Sequence, residues 1–121
     1  MPVSYGAGMD LMRLSDEVEV VSRGYAARHH IQRDATWFLL KLQEEVGELT
    51  QAFLMRSGQS RAKGHTPQQL DELFANELAD VVCHALLLAR HHDVNIQDAI
   101  TRKWLVWNNH VTTTGTTHSP E

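Results

Sequence analysis

Only three prolines interrupt the 121-residue chain, at positions 2, 67 and 120. Proline removes a helical hydrogen bond and clashes with the preceding turn, so this spacing leaves two long stretches free to coil. Apolar residues fill both at three- and four-residue intervals, the period of one helix face. Leu11, Leu14, Val18, Val21 and Tyr25 predict a first helix from about Met9 to His30, weakened late by Gly24. Phe38, Leu39, Leu42, Val46, Leu49 and Phe53 predict a second, which Asp34 caps and which ends before Ser57-Gly58. Thr66-Pro67-Gln68-Gln69 opens a third: Thr66 caps it, Pro67 suits its first position, and Gln69 completes a capping box. That helix runs to about His92 and is apolar nearly all round from Val81 to Ala89, apart from His84. A helix without a polar face is expected at the bundle centre or at a subunit interface. Asn95 caps a fourth, Ile96 to about Asn109, with Asp98 where the helix dipole favours a negative charge. The expected fold is therefore all-α, a bundle of about four main helices over residues 9–110. The ends, 1–8 and 111–121, lack periodicity and are expected to be disordered.

Composition narrows the function classes. A net charge of -4 argues against binding along a nucleic-acid backbone, which needs a basic face. It leaves room for a small phosphorylated ligand held by local cations. No segment reaches the ~18–20 apolar residues of a membrane span, and residues 1–10 lack a basic region followed by an apolar run, so no secretory leader is expected. One cysteine, Cys83, allows no internal disulfide, and a cytoplasmic home is the simplest expectation. Eight histidines are scattered, with no zinc-site spacing.

The residues that call for chemistry are acids. Glu44, Glu45 and Glu48 lie on the second helix, all within about 100° around its axis, and Glu45 sits at the edge of the apolar stripe. Glu77 and Asp80 lie three apart on the third helix, about 60° from each other, and Asp80 directly precedes the apolar run. Most helical Glu pairs are solvated surface charge. Here two pairs sit beside apolar stripes on consecutive helices, and antiparallel packing across a short loop would let them face each other. Burying such a group unpaired costs several kcal/mol, as a rough scale. A converging cluster raises its own pKa values unless a cation neutralises it, and oxygen ligands suit Mg²⁺, Mn²⁺ or Ca²⁺.

The segments Glu44-Glu45-Val46-Gly47-Glu48-Leu49 and Glu77-Leu78-Ala79-Asp80-Val81 resemble the EExxE and ExxD motifs of the MazG-like nucleotide pyrophosphohydrolases. The 28 residues from Leu49 to Asn76 separate the motifs by a family-like gap. Lys41-Leu42-Gln43 before them and Ile100-Thr101-Arg102-Lys103-Trp104 after them also fit, so that the likeness covers about residues 34–108. The resemblance implies a MazG-like fold assembling as a dimer or tetramer. It implies Mg²⁺-dependent attack of water at the α-phosphorus of a nucleoside triphosphate, releasing monophosphate and pyrophosphate, as in nucleotide-pool house-cleaning; Mn²⁺ is a possible substitute. Glu45, Glu48, Glu77 and Asp80 would be metal ligands. Glu44 would orient a water or assist as a base, and Lys103 would contact phosphate. Candidate substrate contacts are Trp37, Lys41 and His84 beside the motifs, Arg56, Arg61 and Lys63 in the polar loop 56–66, and Asn108, with Asn109 as its neighbour. For Phe38 a core role is favoured, and Trp104 and Trp107 are expected to pack or to form an interface.

Three rival readings remain. Phosphoribosyl-ATP pyrophosphohydrolase chemistry would use the same acids on another substrate. A non-catalytic helical dimerisation module would bind metal only for structure. A di-iron bundle is disfavoured, because the residues three after Glu45 and Glu77 are Glu48 and Asp80 rather than histidine.

Overall fold

The computed structural model describes residues 10–108. The expectations on residues 1–8 and 111–121, on the helix start at Met9 and on Asn109 lie outside them. The described residues form four helices and no strand: α1 (Leu11–Arg28), α2 (Ala35–Arg56), α3 (Pro67–His91) and α4 (Ile96–Ile100), the last continuing into a π-helical turn, Thr101–Leu105. No described helix is long and apolar enough to cross a membrane.

Each start is fixed by a side-chain cap. Asp10 accepts from the Arg13 N–H, Asp34 from the Trp37 N–H and Asn95 from the Asp98 N–H. At α3 the box closes reciprocally: the Gln69 N–H donates to Thr66 Oγ1 at 3.1 Å, and the Thr66 N–H donates to Gln69 Oε1 at 2.9 Å. Thr66→Ala should therefore lower stability by about 1 kcal/mol, readable as a shift of the urea midpoint at constant slope. Helix α2 ends as its sequence suggests. Ser57 is its C-cap and Gly58 follows in the left-handed region (φ 79°), from where the next two N–H groups turn back to the Leu54 carbonyl.

Helices α2 and α3 pair antiparallel. Phe53 meets Phe74 at one end (ring centroids 6.4 Å) and Phe38 meets His91 at the other (4.6 Å). The buried apolar side chains are Phe38 and Ala52 of α2, Leu70, Leu86, Leu87 and Ala89 of α3, and Ala26 of α1. Phe38 is thus core, as expected.

One expectation changes. Helix α1 is turned relative to its apolar stripe: Ser15, Glu19 and Ala26 are its buried residues, while Leu14, Val21 and Tyr25 of the stripe are exposed, Val21 by 70%. The cause is an ion pair. Arg33, in the α1–α2 connection, grips Glu19 with two parallel hydrogen bonds of 2.9 Å and donates a third to Ser22 Oγ. Arg23 adds a bond to Glu19, and the Arg33 guanidinium lies over the Phe38 ring at 5.2 Å. Arg90 of α3 also reaches Asp16. These contacts fix which side of α1 faces the hairpin. Helix α3, expected at the bundle centre or at a subunit interface, is buried at Leu86, Leu87 and Ala89, while Val82 in the same run is exposed in the single chain. The fourth helix starts at Ile96 as expected and stays helical to Asn108, with its hydrogen bonding widened to a π-helical turn over Thr101–Leu105.

Candidate functional site

The antiparallel pairing brings the acids of α2 and α3 together. Glu45, Glu48 and Glu77 each offer a carboxylate oxygen, and these three atoms lie within 4.8 Å of one another. Glu45 is 8% exposed, Glu77 is half-buried and Glu48 is exposed. Asp80, expected to be the acid that burial would penalise, is instead exposed and stands outside this closest group. Asp80 lines the open cavity between the hairpin and α1. The burial falls on Glu45 and Glu77, and it leaves Glu45 Oε2 and Glu77 Oε2 without a hydrogen-bond partner.

The electrostatics follow from that geometry. Burial is the first reason that the Glu45 carboxyl is pushed up to about 7; a hydrogen bond with Glu48 and the charges of Glu48 and Asp80 add to it, and Lys41 opposes it. Glu77 is raised too, first by burial, then by the charges of Glu48 and Asp80. Two buried carboxylate oxygens without donors, beside further acids, fit a hard divalent cation: it would partner the orphaned oxygens and remove the repulsion. Glu45, Glu48 and Glu77 would hold it, with Asp80 next to them.

A pH dependence follows for the metal-free protein. Glu45 has a folded-state pKa of about 7 against an ordinary 4.5, so the folded state holds the extra proton between those values. The stability this contributes is fully present below about pH 4.5 and is lost as the pH rises through about 7, on the order of 2 kcal/mol in all. Urea unfolding in EDTA should show the protein less stable at about pH 8 than at about pH 5, and Mg²⁺ should narrow the difference by binding the ionised form.

Next to the cluster lies a cavity of about 600 Å³. Its floor is Trp37, Lys41 and Glu45 of α2 with Asp80, His84 and Leu87 of α3, and its other wall is the exposed stripe of α1. Trp37 is held edge-on by Phe38 (5.1 Å) and His84 (6.4 Å) and is half-buried. His84 directs Nε2 towards Glu45 Oε1 at 3.9 Å, while Nδ1 is buried without a partner. Burial and Lys41 lower its pKa, against the charges of Asp80 and Glu44. Cys83 also lines the cavity; burial and then Asp80 push its thiol up, away from the thiolate. Lys41 extends its ammonium to 3.2 Å from Glu44, which is exposed.

The remaining candidates are not gathered here. Arg56 is engaged at the far end of α2, bonding Asp71 at 2.7 Å and lying over the Phe74 ring. Arg61 and Lys63 are exposed in the following loop, and none of the three lines the cavity. Lys103 is exposed on the π-helical turn, and neither it nor Asn108 lines the cavity. Among the described residues that line the cavity, Lys41 is the one lysine or arginine. Conversely, the sequence pattern did not single out the α1 wall as part of a site. The only signal was that Leu14, Val18, Val21 and Tyr25 share one helix face, which reads equally as core. No protein-family model matches the chain, and no curated protein is significantly similar to it.

Proposed function

We propose that the chain is a Mg²⁺-dependent nucleoside triphosphate pyrophosphohydrolase of the MazG-like kind, cleaving its substrate to monophosphate and pyrophosphate. One observation carries this reading: the buried Glu45 carboxylate, one oxygen of which has no partner, meets Glu48 and Glu77 at the edge of a cavity with an aromatic face. The cavity volume, about 600 Å³, lies in the range of small-ligand sites. A divalent cation at the acids would offset the triphosphate charge and make a neighbouring water more acidic.

The chain's own groups do the rest. Lys41 lines the cavity beside Glu45 and is placed to donate to a phosphate oxygen. Glu44 is exposed next to it and would orient a water or accept its proton. Trp37 offers its ring to a base, and His84 its unpartnered Nδ1. Catalysis in such a site is mostly positioning plus charge stabilisation. Self-association belongs to the same reading. Leu39, Leu40 and Phe53 of α2 and Val82 of α3 are all 46% exposed or more, apolar surface that supports this part of the reading. A homodimer or homotetramer would cover it. Lys103 would then take up its phosphate role only through such assembly or through movement of its turn.

The test is a product assay with Mg²⁺ across canonical and modified triphosphates, measuring pyrophosphate and orthophosphate separately. Pyrophosphate matched by monophosphate, and lost with EDTA and in Glu48→Gln, is the expected result. Orthophosphate as the product, or turnover indifferent to EDTA, would contradict the reading. Metal binding with no release from any triphosphate would favour phosphoribosyl-ATP as substrate or a structural module.

A further inference from the structure

Spacing on α3 puts one more polar side chain beside the acids. Glu77, Asp80 and His84 follow one another at intervals of three and four residues, so all three share one face of the helix. The His84 side chain is mostly buried, 19% exposed, and its ring meets Trp37 edge-on at 6.4 Å. From there Nε2 stands 3.9 Å from Glu45 Oε1. That is longer than a hydrogen bond, and a small rotation of either side chain closes it.

The two oxygens of Glu45 are not equivalent. Oε1 faces His84, whereas Oε2 is buried and has no partner. A carboxylate that holds a cation through one oxygen keeps its orientation when a donor occupies the other. The imidazole can supply that donor. In the neutral ring one nitrogen carries the proton and the other accepts. Nδ1 is buried without a partner, so a proton there would be a buried donor with nothing to bond. The same proton on Nε2 has Glu45 as its acceptor. In the charged ring Nε2 donates as well, so the direction of the bond does not depend on the charge state. Lys41 is turned elsewhere, with its ammonium 3.2 Å from Glu44.

We propose that His84 is a positioning residue for the metal site: its Nε2–H bonds Glu45 Oε1 and turns Oε2 towards a cation shared with Glu48 and Glu77. The proposal rests on the metal site of the pyrophosphohydrolase reading and adds to it a residue that acts only through Glu45. A metal-bound carboxylate accepts a charge-assisted bond, so loading the site closes the gap between the two side chains.

The experiment measures Mn²⁺ binding to the full chain without nucleotide, by electron paramagnetic resonance, for the wild type, His84→Gln, His84→Asn and His84→Phe. Glutamine carries its amide nitrogen near the position of Nε2, and asparagine near that of Nδ1. His84→Phe should weaken Mn²⁺ binding about 10–100-fold. His84→Asn should fall with it, and His84→Gln should recover most of the loss. Nitrogen NMR of the imidazole with Mg²⁺ should find the His84 proton on Nε2. Wild-type affinity in His84→Phe, equal affinity in His84→Gln and His84→Asn, or a neutral ring with its proton on Nδ1 would overturn the proposal. If His84→Phe does not fold, the comparison of His84→Gln with His84→Asn and the proton position decide. The expected Mn²⁺ pattern without hydrolysis of any triphosphate would overturn the pyrophosphohydrolase reading and leave the proposal standing. No Mn²⁺ bound by the wild type would overturn the proposal, and with metal-dependent hydrolysis retained it would leave that reading standing.

Discussion

Glu45→Gln is expected to make the metal-free protein more stable and at the same time abolish the proposed hydrolysis. Both effects come from one carboxylate. In the folded chain Glu45 is 8% exposed, with one oxygen unpartnered and Glu48 and Asp80 acting on it. Ionising it there is unfavourable, which is why its pKa stands at about 7. An amide of the same shape never ionises, so in EDTA at about pH 8 the variant should gain on the order of 1–2 kcal/mol. The gain should vanish towards about pH 5, where the wild-type group is protonated. Activity moves the other way. The amide supplies no charge to a divalent cation, and even groups that only orient a metal ligand cost 10–100-fold when lost, as a rough guide. Loss of a ligand itself should exceed about 100-fold. Paired urea titrations and turnover assays read both signs. A variant that is less stable in EDTA would mean that Glu45 is an ordinary structural acid.

Glu19→Gln should cost about 3 kcal/mol, the largest stability loss expected outside the apolar core. Glu19 is buried, and Arg33 is 16% exposed at its side chain. The pair shares two hydrogen bonds, and Arg33 holds the Glu19 carboxyl down to about 2 while burial opposes it. Removing the charge strands the guanidinium, although Ser22 and the Phe38 ring still touch it. The sign with pH is opposite to that of Glu45. The contribution of Glu19 is present above about pH 4.5 and is lost as the pH falls through about 2. Above about pH 5 the wild-type advantage over Glu19→Gln should therefore be constant. Because the pair fixes how α1 is turned, the variant should also alter ligand affinity at the α1 wall. A loss below about 1 kcal/mol would show that the pair only breaks even against its desolvation.

The helix boundaries were legible because they depend on neighbours in sequence. Asp34, Thr66 with Gln69, and Asn95 bond N–H groups three residues away, and a capping box needs nothing from the rest of the fold. The convergence of Glu45, Glu48 and Glu77 was legible for a similar reason, since two helices joined by a short loop pack antiparallel. Two things could not be read locally. A helical wheel shows that α1 has an apolar face but not what covers it. The answer lay in Arg33, fourteen residues from Glu19, a tertiary pairing that periodicity does not encode. Likewise Asp80 and Glu77 both border the apolar stripe by spacing alone, and only the packed structure puts Glu77 against Glu45 and Glu48 of α2 and leaves Asp80 exposed. The π-helical turn at Thr101–Leu105 interrupts a helix whose apolar spacing predicts α-helical bonding throughout.

The central claim is that water attacks the α-phosphorus at the Glu45, Glu48 and Glu77 cluster. One reaction run in heavy-oxygen water, followed by mass spectrometry of both products, tests it most directly. The account predicts one heavy oxygen in the monophosphate, none in the pyrophosphate, and no incorporation with EDTA. Label in the pyrophosphate, or in orthophosphate released from the γ position, would contradict it.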